Sequence, residues 1–145
     1  MKLAFLLWLA TVVPQPAADH ICLATTVYLE ARSESTRGQM AVAEVALRRR
    51  DTGRWGSTVC DVVNSPKQFA PTLGSANRML KNPQAWQKAW MIAGRAIDNW
   101  SRPDDERKFV VPHADSFVVS DQVSPRWIKG PPLATIGAHS FYRVN

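Results

Sequence analysis

At 145 residues the chain has room for one domain, and a domain of that size buries enough surface to fold without a metal. Its composition, 46% hydrophobic and 21% charged, excludes a disordered chain, and six tryptophans are a surplus compatible with stacking on sugar rings. Eighteen Lys and Arg against twelve Asp and Glu give a formal charge of +6, which suits a polyanionic partner or simply a soluble basic protein.

Met1-Lys2 is a short positive start, and Leu3 to Val13 is an uncharged apolar run of 11 residues. Such a run fits the core of a signal peptide and falls short of the ~20 residues that span a bilayer. Pro14 to Ala18 closes it. Residues 1–18 are therefore expected to be a signal peptide cut after Ala18. Pro16 suits a cleavage motif poorly, so a retained signal anchor is the alternative. The working domain is 19–145. Export would let Cys22 and Cys60, the chain's two cysteines, form a disulfide. Two buried free thiols would be the reading for a cytosolic chain.

Asp19 is expected to cap a helix reaching about Arg32, with Ile21, Ala24, Tyr28 and Ala31 at helical spacing on its core face. Glu30 falls in the last turn, where a carboxylate opposes the negative end of the helix dipole. After a turn from Ser33 to Gly38, a second helix over about Arg37 to Arg49 is apolar nearly all round and should be central. Glu44 interrupts it, either pairing with a base at the helix edge, the reading preferred, or lying near an active site. Arg48, Arg49 and Arg50 complement the helix dipole and need no ligand.

Ser57 or Thr58 can cap a short helix through Val63, and Lys67 to Ser75 reads as a loop. Asn82 caps the next helix and Pro83 opens it, with Trp86, Trp90, Ala93, Ile97 and Trp100 in one stripe read as core. After the polar stop Arg102 to Arg107, Phe109 to Val111, Phe117 to Val119 and Ser140 to Val144 read as extended pieces of a small sheet or long loop region.

The three histidines, His20, His113 and His139, lack the spacing that puts two zinc ligands on one face. No serine elbow, phosphate-binding glycine loop or nucleic-acid-reading motif is present. Acid chemistry on an exported, Trp-rich, helical domain remains, and glycoside cleavage fits it. The acid that protonates a leaving glycosidic oxygen needs apolar neighbours. Glu30, between Leu29 and Ala31 and close to Tyr28, best meets that need.

The stretch Cys22 to Glu34, containing Tyr28-Leu29-Glu30-Ala31-Arg32, resembles the SleB-type cell-wall hydrolase family, which includes spore-cortex lytic enzymes and phage endolysin relatives. So do Gly38 to Leu47, Val59-Cys60-Asp61-Val62-Val63, Gln68-Phe69, Ser124 to Trp127 and Ile136 to Tyr142, in the same order. The resemblance covers nearly all of the chain after residue 18. It implies an α+β, mainly α, lysozyme-like domain of the goose-type or lytic-transglycosylase kind, with a small sheet. It also implies cleavage of peptidoglycan between N-acetylmuramic acid and N-acetylglucosamine.

The family's catalytic Glu falls on Glu30. Gln68, Phe69, Ser116, His139 and Tyr142 are expected to line the cleft, although His139 and Tyr142 could instead knit the C-terminal segment to the core. No metal or cofactor is expected. The implied partner is peptidoglycan, met by a monomer in the periplasm or cell envelope, with membrane contact only through the N-terminal segment and no nucleic acid. A host remodelling enzyme and a phage lysin both fit.

A lone Glu30 would suffice for a transglycosylase, whereas a water-using hydrolase would want a second acid, with Glu34 or Glu44 nearest. The alternatives are a zinc-type peptidoglycan amidase and a non-catalytic peptidoglycan-binding protein. Two departures bear on subsites. Arg48 stands where many relatives have Asn, and Ala114 to Val119 lacks histidines found in relatives, keeping only the Ser116 hydroxyl.

Overall fold

The computed structural model describes residues 1–65, 79–120 and 125–145. Its helices are α1 (Leu3–Val12), α2 (Ala17–Ala31), α3 (Thr36–Thr52), α4 (Val59–Asn64) and α5 (Pro83–Trp100). A one-turn 3-10 helix at Asp104–Glu106 follows, then β1 (Ser116–Val119), β2 (Ala134–Ile136) and β3 (His139–Tyr142). This is the expected α+β class, helices with one small sheet.

Helices α2, α3 and α5 form the body. Burial of Ile21, Ala24, Tyr28 and Ala31 gives α2 its expected core face, and Ala41 through Leu47 are buried along α3. Fully burying one such Leu or Val side chain stabilises by roughly 1.5–3 kcal/mol. Ser35 caps α3, its hydroxyl accepting the Gly38 N–H, and Gly53 ends it in the left-handed conformation at φ 72°. Thr58 caps α4 and Asn82 caps α5, with Pro83 in its first turn.

Asp19 is not the cap of α2. The helix begins two residues earlier, and the Gln15 side-chain oxygen accepts the Asp19 N–H. The Asp19 carboxylate turns inward, accepting the Val59 N–H at 2.8 Å and pairing with Arg50 at 3.2 Å. A disulfide between Cys22 and Cys60, with Cα atoms 5.3 Å apart, fastens α4 to α2 a turn further on. Closing a loop of this size stabilises by roughly 3–4 kcal/mol in the chain-entropy model.

The apolar run at the N-terminus is the helix α1, packed on α2 through Leu3, Leu6 and Ala10. Among the described residues, no helix is long and apolar enough to cross a membrane.

The sheet is antiparallel in the order β1-β3-β2, with Phe117 and Ala134 both opposite Phe141. Phe141 and Ile136 pack with Ala31, Ala41, Val42 and Val45 in a second apolar cluster. Phe109 to Val111, expected to be extended, is instead a bend. The Glu44 carboxylate accepts the Val110 and Val111 N–H groups at 2.7 and 3.1 Å, taking the donors a ladder would use. Strand β2 had no counterpart in the sequence reading, because Ala134-Thr135-Ile136 is too short to show alternation.

Candidate active site

The last turn of α2 carries Glu30, half-buried, two residues past the fully buried Tyr28. The Tyr28 hydroxyl accepts from Arg32 at 3.2 Å and from the Asn82 backbone N–H at 3.1 Å. The edge of the Tyr28 ring meets Trp86 with centroids 6.2 Å apart. These contacts hold the end of α2 against the start of α5, so the turn bearing Glu30 is fixed from beneath.

Across from it, α3 supplies Arg49, only 8% exposed. Its Nε donates to the Asp115 carbonyl at 2.7 Å, and its guanidinium lies 5.7 Å from the Trp55 ring centre. Burial pushes the guanidinium down to about 10, while the nearby carboxylates of Asp115 and Glu30 act the other way. Glu30 therefore faces a buried cation on the neighbouring helix.

Arg49 also borders a hollow of about 440 Å³ whose walls include Trp55, Ser116, Phe117 and Trp127. A larger hollow of about 670 Å³ shares Trp127 and Val144 with it and adds Arg126, Lys129, Tyr142 and Arg143. The 37%-exposed Trp127 meets the Tyr142 ring edge-on at 5.8 Å between the two. Aromatic faces beside cations suit an anionic polymer of sugars, which needs stacking surfaces and counter-charges together.

The residues expected from sequence fall in different places. Ser116 lines the smaller hollow, with its hydroxyl donating to the Asp115 carboxylate at 3.1 Å, and Tyr142 lines the larger one. His139 is 3% exposed and lines neither hollow. Its Nδ1 donates to Glu34 at 2.9 Å and its ring meets Phe117 edge-on at 5.1 Å, which joins the sheet to the turn between α2 and α3. Gln68 and Phe69 lie outside the described residues.

The two carboxylates nearest to serving as a second acid are both engaged. Glu34 accepts the Ala138 N–H at 2.8 Å as well as His139. A Cβ at Gly137, whose φ is 56°, would stand 2.8 Å from the Glu34 oxygens, so that tight turn requires glycine. Glu44 is tied to the Val110 and Val111 backbone. Burial holds its carboxyl above the usual carboxylate range, against the lowering by those two N–H groups and Arg48.

Arg48 donates to the Ala114 carbonyl and lies over Trp100 and Phe109, so with Arg49 it ties α3 to the segment entering β1. Among the described residues no three His, Cys, Asp or Glu side chains gather in a way that could hold a metal ion.

Among the lining residues that the sequence reading did not assign to the cleft are Arg49, Trp55 and Trp127. Arg49 was hidden in a run that the helix dipole already explained. Trp127 stood in the Ser124 to Trp127 motif and could have been singled out there.

Comparison with known proteins agrees with this architecture. A family model described as Cell Wall Hydrolase matches residues 33–142. The spore cortex-lytic enzyme of Bacillus subtilis (strain 168) is 30% identical over 124 residues, 85% of this chain, and the match spans only 37% of that relative's length. The crystal structure of the catalytic domain of the Bacillus cereus SleB protein superposes with a TM-score of 0.67 at 28% identity, covering 90% of this chain and 95% of that one. The catalytic domain of the germination-specific lytic transglycosylase SleB from Bacillus anthracis matches with a TM-score of 0.67 at 27% identity, over 90% of this chain and 100% of its own. The fold is the lysozyme-like α+β fold expected from the motifs, and the chain belongs to the cell wall hydrolase family.

Proposed function

We propose that this domain cleaves the glycan strands of peptidoglycan between N-acetylmuramic acid and N-acetylglucosamine, outside the cytoplasm, with Glu30 as a lone general acid/base. Family membership and likeness to the SleB catalytic domains support the substrate and bond class. The observation that carries the lone-acid form is the engagement of Glu34 and Glu44, each by two donors. Neither is available to activate a water opposite Glu30, as a second carboxylate would have to be.

The protonated Glu30 gives its proton to the glycosidic oxygen as the C1–O bond breaks. The carboxylate left behind faces the Arg49 cation, which stabilises that charge as it forms. Glu30 then takes the proton of the muramic acid C6 hydroxyl while that oxygen attacks C1. The new C1–O6 bond closes a 1,6-anhydro ring and restores the acid. The Trp127–Tyr142 pair and the cations beside it would hold flanking sugars.

Mass spectrometry of muropeptides released by the purified protein tests the reading. Anhydro-ended products are expected, with release by Glu30→Gln lower by roughly 10²–10⁴-fold. Equal release by Glu30→Gln would remove that residue from the chemistry. Products with reducing ends would point to a water-using hydrolase, and stem peptides freed from intact glycan to an amidase.

A further inference from the structure

An exposed apolar patch that shares no residue with the two hollows lies on α1 and α5. Helix α1 buries Leu3, Leu6 and Ala10 against α2 and turns Phe5, Trp8 and Val12 outward at 49, 56 and 56% exposure. Helix α5 adds Trp90 and Met91 at 40 and 43% exposure. A shallow groove of about 380 Å³ runs between them, floored by Leu6, Leu9 and Trp86. An isolated exposed Leu would need no account, but a contiguous apolar face of this kind marks a surface that meets another.

The charge around the face says what that other surface is. Helix α1 carries no charge and follows Lys2, and α5 and the residues before it carry Lys81, Lys88 and Arg95, with Asp98 in the last turn of α5 paired to Arg102 at 3.3 Å. Lys2 and Lys81 are brought together at one edge, where the N-terminal strand of backbone bridges Met79 and the Leu80 N–H donates to the Met1 carbonyl at 2.9 Å. Tryptophans on an apolar face flanked by an excess of lysine and arginine suit the headgroup region of an anionic bilayer. Helix α1 has ten residues, about half of what a span requires.

We propose that the α1–α5 face seats the protein in the plane of an anionic lipid surface, with α1 kept as part of the domain. Phe5, Trp8 and Trp90 enter the headgroup layer and Lys2, Lys81 and Arg95 meet its phosphates. The proposal goes beyond glycan cleavage and does not depend on it.

Sedimentation of the full chain with phosphatidylglycerol-containing vesicles, and with pure phosphatidylcholine vesicles, tests it. Binding is expected with the anionic vesicles and is expected to weaken with added salt. Phe5→Ser with Trp8→Ser, both exposed positions, should lower vesicle binding at least about tenfold. Lys81→Glu with Arg95→Glu should do the same by charge alone, at about a tenfold loss or more. Muropeptide release from soluble glycan should be unchanged in both double variants, which separates this outcome from any failure of the catalytic reading. Unchanged vesicle binding in either double variant overturns the proposal. So does a dimer that Phe5→Ser with Trp8→Ser dissolves in a protein that ignores vesicles, since the face would then belong to a second copy. Recovery of envelope protein that begins at Asp19 overturns it as well, because α1 would be gone.

Discussion

The helical body and the C-terminal sheet are held by different forces. Helices α2, α3 and α5 meet through side chains such as Leu23, Val27, Leu47 and Ile92, all fully buried and none with a polar atom to satisfy. The sheet has a small apolar contact through Phe141 and Ile136, but buried polar groups fix its position. Glu34 holds the β2–β3 turn, Glu44 the bend at Val110, and Asp115 the last residues, accepting the Val144 and Asn145 N–H groups at 2.8 and 2.9 Å. Apolar packing tolerates adjustment, whereas a buried carboxylate with two or three donors specifies one geometry. The smaller hollow lies where the two regions meet, with Arg49 of α3 in one wall and Ser116 and Phe117 of β1 in another, so the helices set where Glu30 stands and the polar clamps set how the sheet approaches it.

The largest test of this contrast is Leu47→Ala. It should lower unfolding free energy by roughly 2–5 kcal/mol and loosen α2, α3 and α5 together, because a cavity at Leu47 weakens the core those helices share. A loss confined to the sheet in hydrogen exchange would contradict a shared core. Asp115→Ala should cost less, roughly 2–3 kcal/mol, from the donors it strands. Here the prediction is reversed, with amides of β1 and β3 losing protection while those of α2 and α5 keep it. If α5 loosens equally, the two regions are one cooperative unit and the contrast fails.

The smallest effect is a pH dependence. Burial raises the Glu44 carboxyl above the ordinary value of 4.5, so the folded chain holds this proton more tightly than the unfolded chain. Its contribution to stability is therefore greatest below about 4.5 and is lost as pH rises through the folded value. Stability of the native protein relative to Glu44→Gln should accordingly fall between acid and neutral pH in denaturant titrations. A rise over that range would mean that the two backbone N–H groups outweigh burial.

The same contrast explains what was legible in the sequence. Apolar periodicity and capping residues are local, so α3 could be placed within a few residues from its apolar run, and α4 and α5 from Thr58 and Asn82 onward. Clamps are made between residues far apart in the chain, as Glu44 is from Val110, and no spacing rule reveals them. Asp19 looked like a cap because caps are common where it stands, and its partners, Val59 and Arg50, are distant. Trp90 was read as core from its stripe, yet it is 40% exposed and its ring stacks on His20 at 3.6 Å. Glu30 stood out from its place in the last turn of α2 and its apolar neighbours, and its motif made the role specific; its neighbour Arg49, on another helix, lay in a run that the helix dipole already explained.

Three consecutive arginines near the end of α3 fasten two different parts of the molecule to it. Arg48 goes to Ala114 and Arg49 to Asp115, beside Glu30, while Arg50 goes to Asp19. Successive side chains on a helix point about 100° apart, which is what lets one turn serve both the segment entering β1 and the start of α2. A single residue inserted or deleted just before Arg48 would rotate all three at once, misdirecting the sheet, the cleft and the start of α2 together. Length variation among descendants of this chain should therefore gather in its loops and spare this turn, even where individual side chains drift.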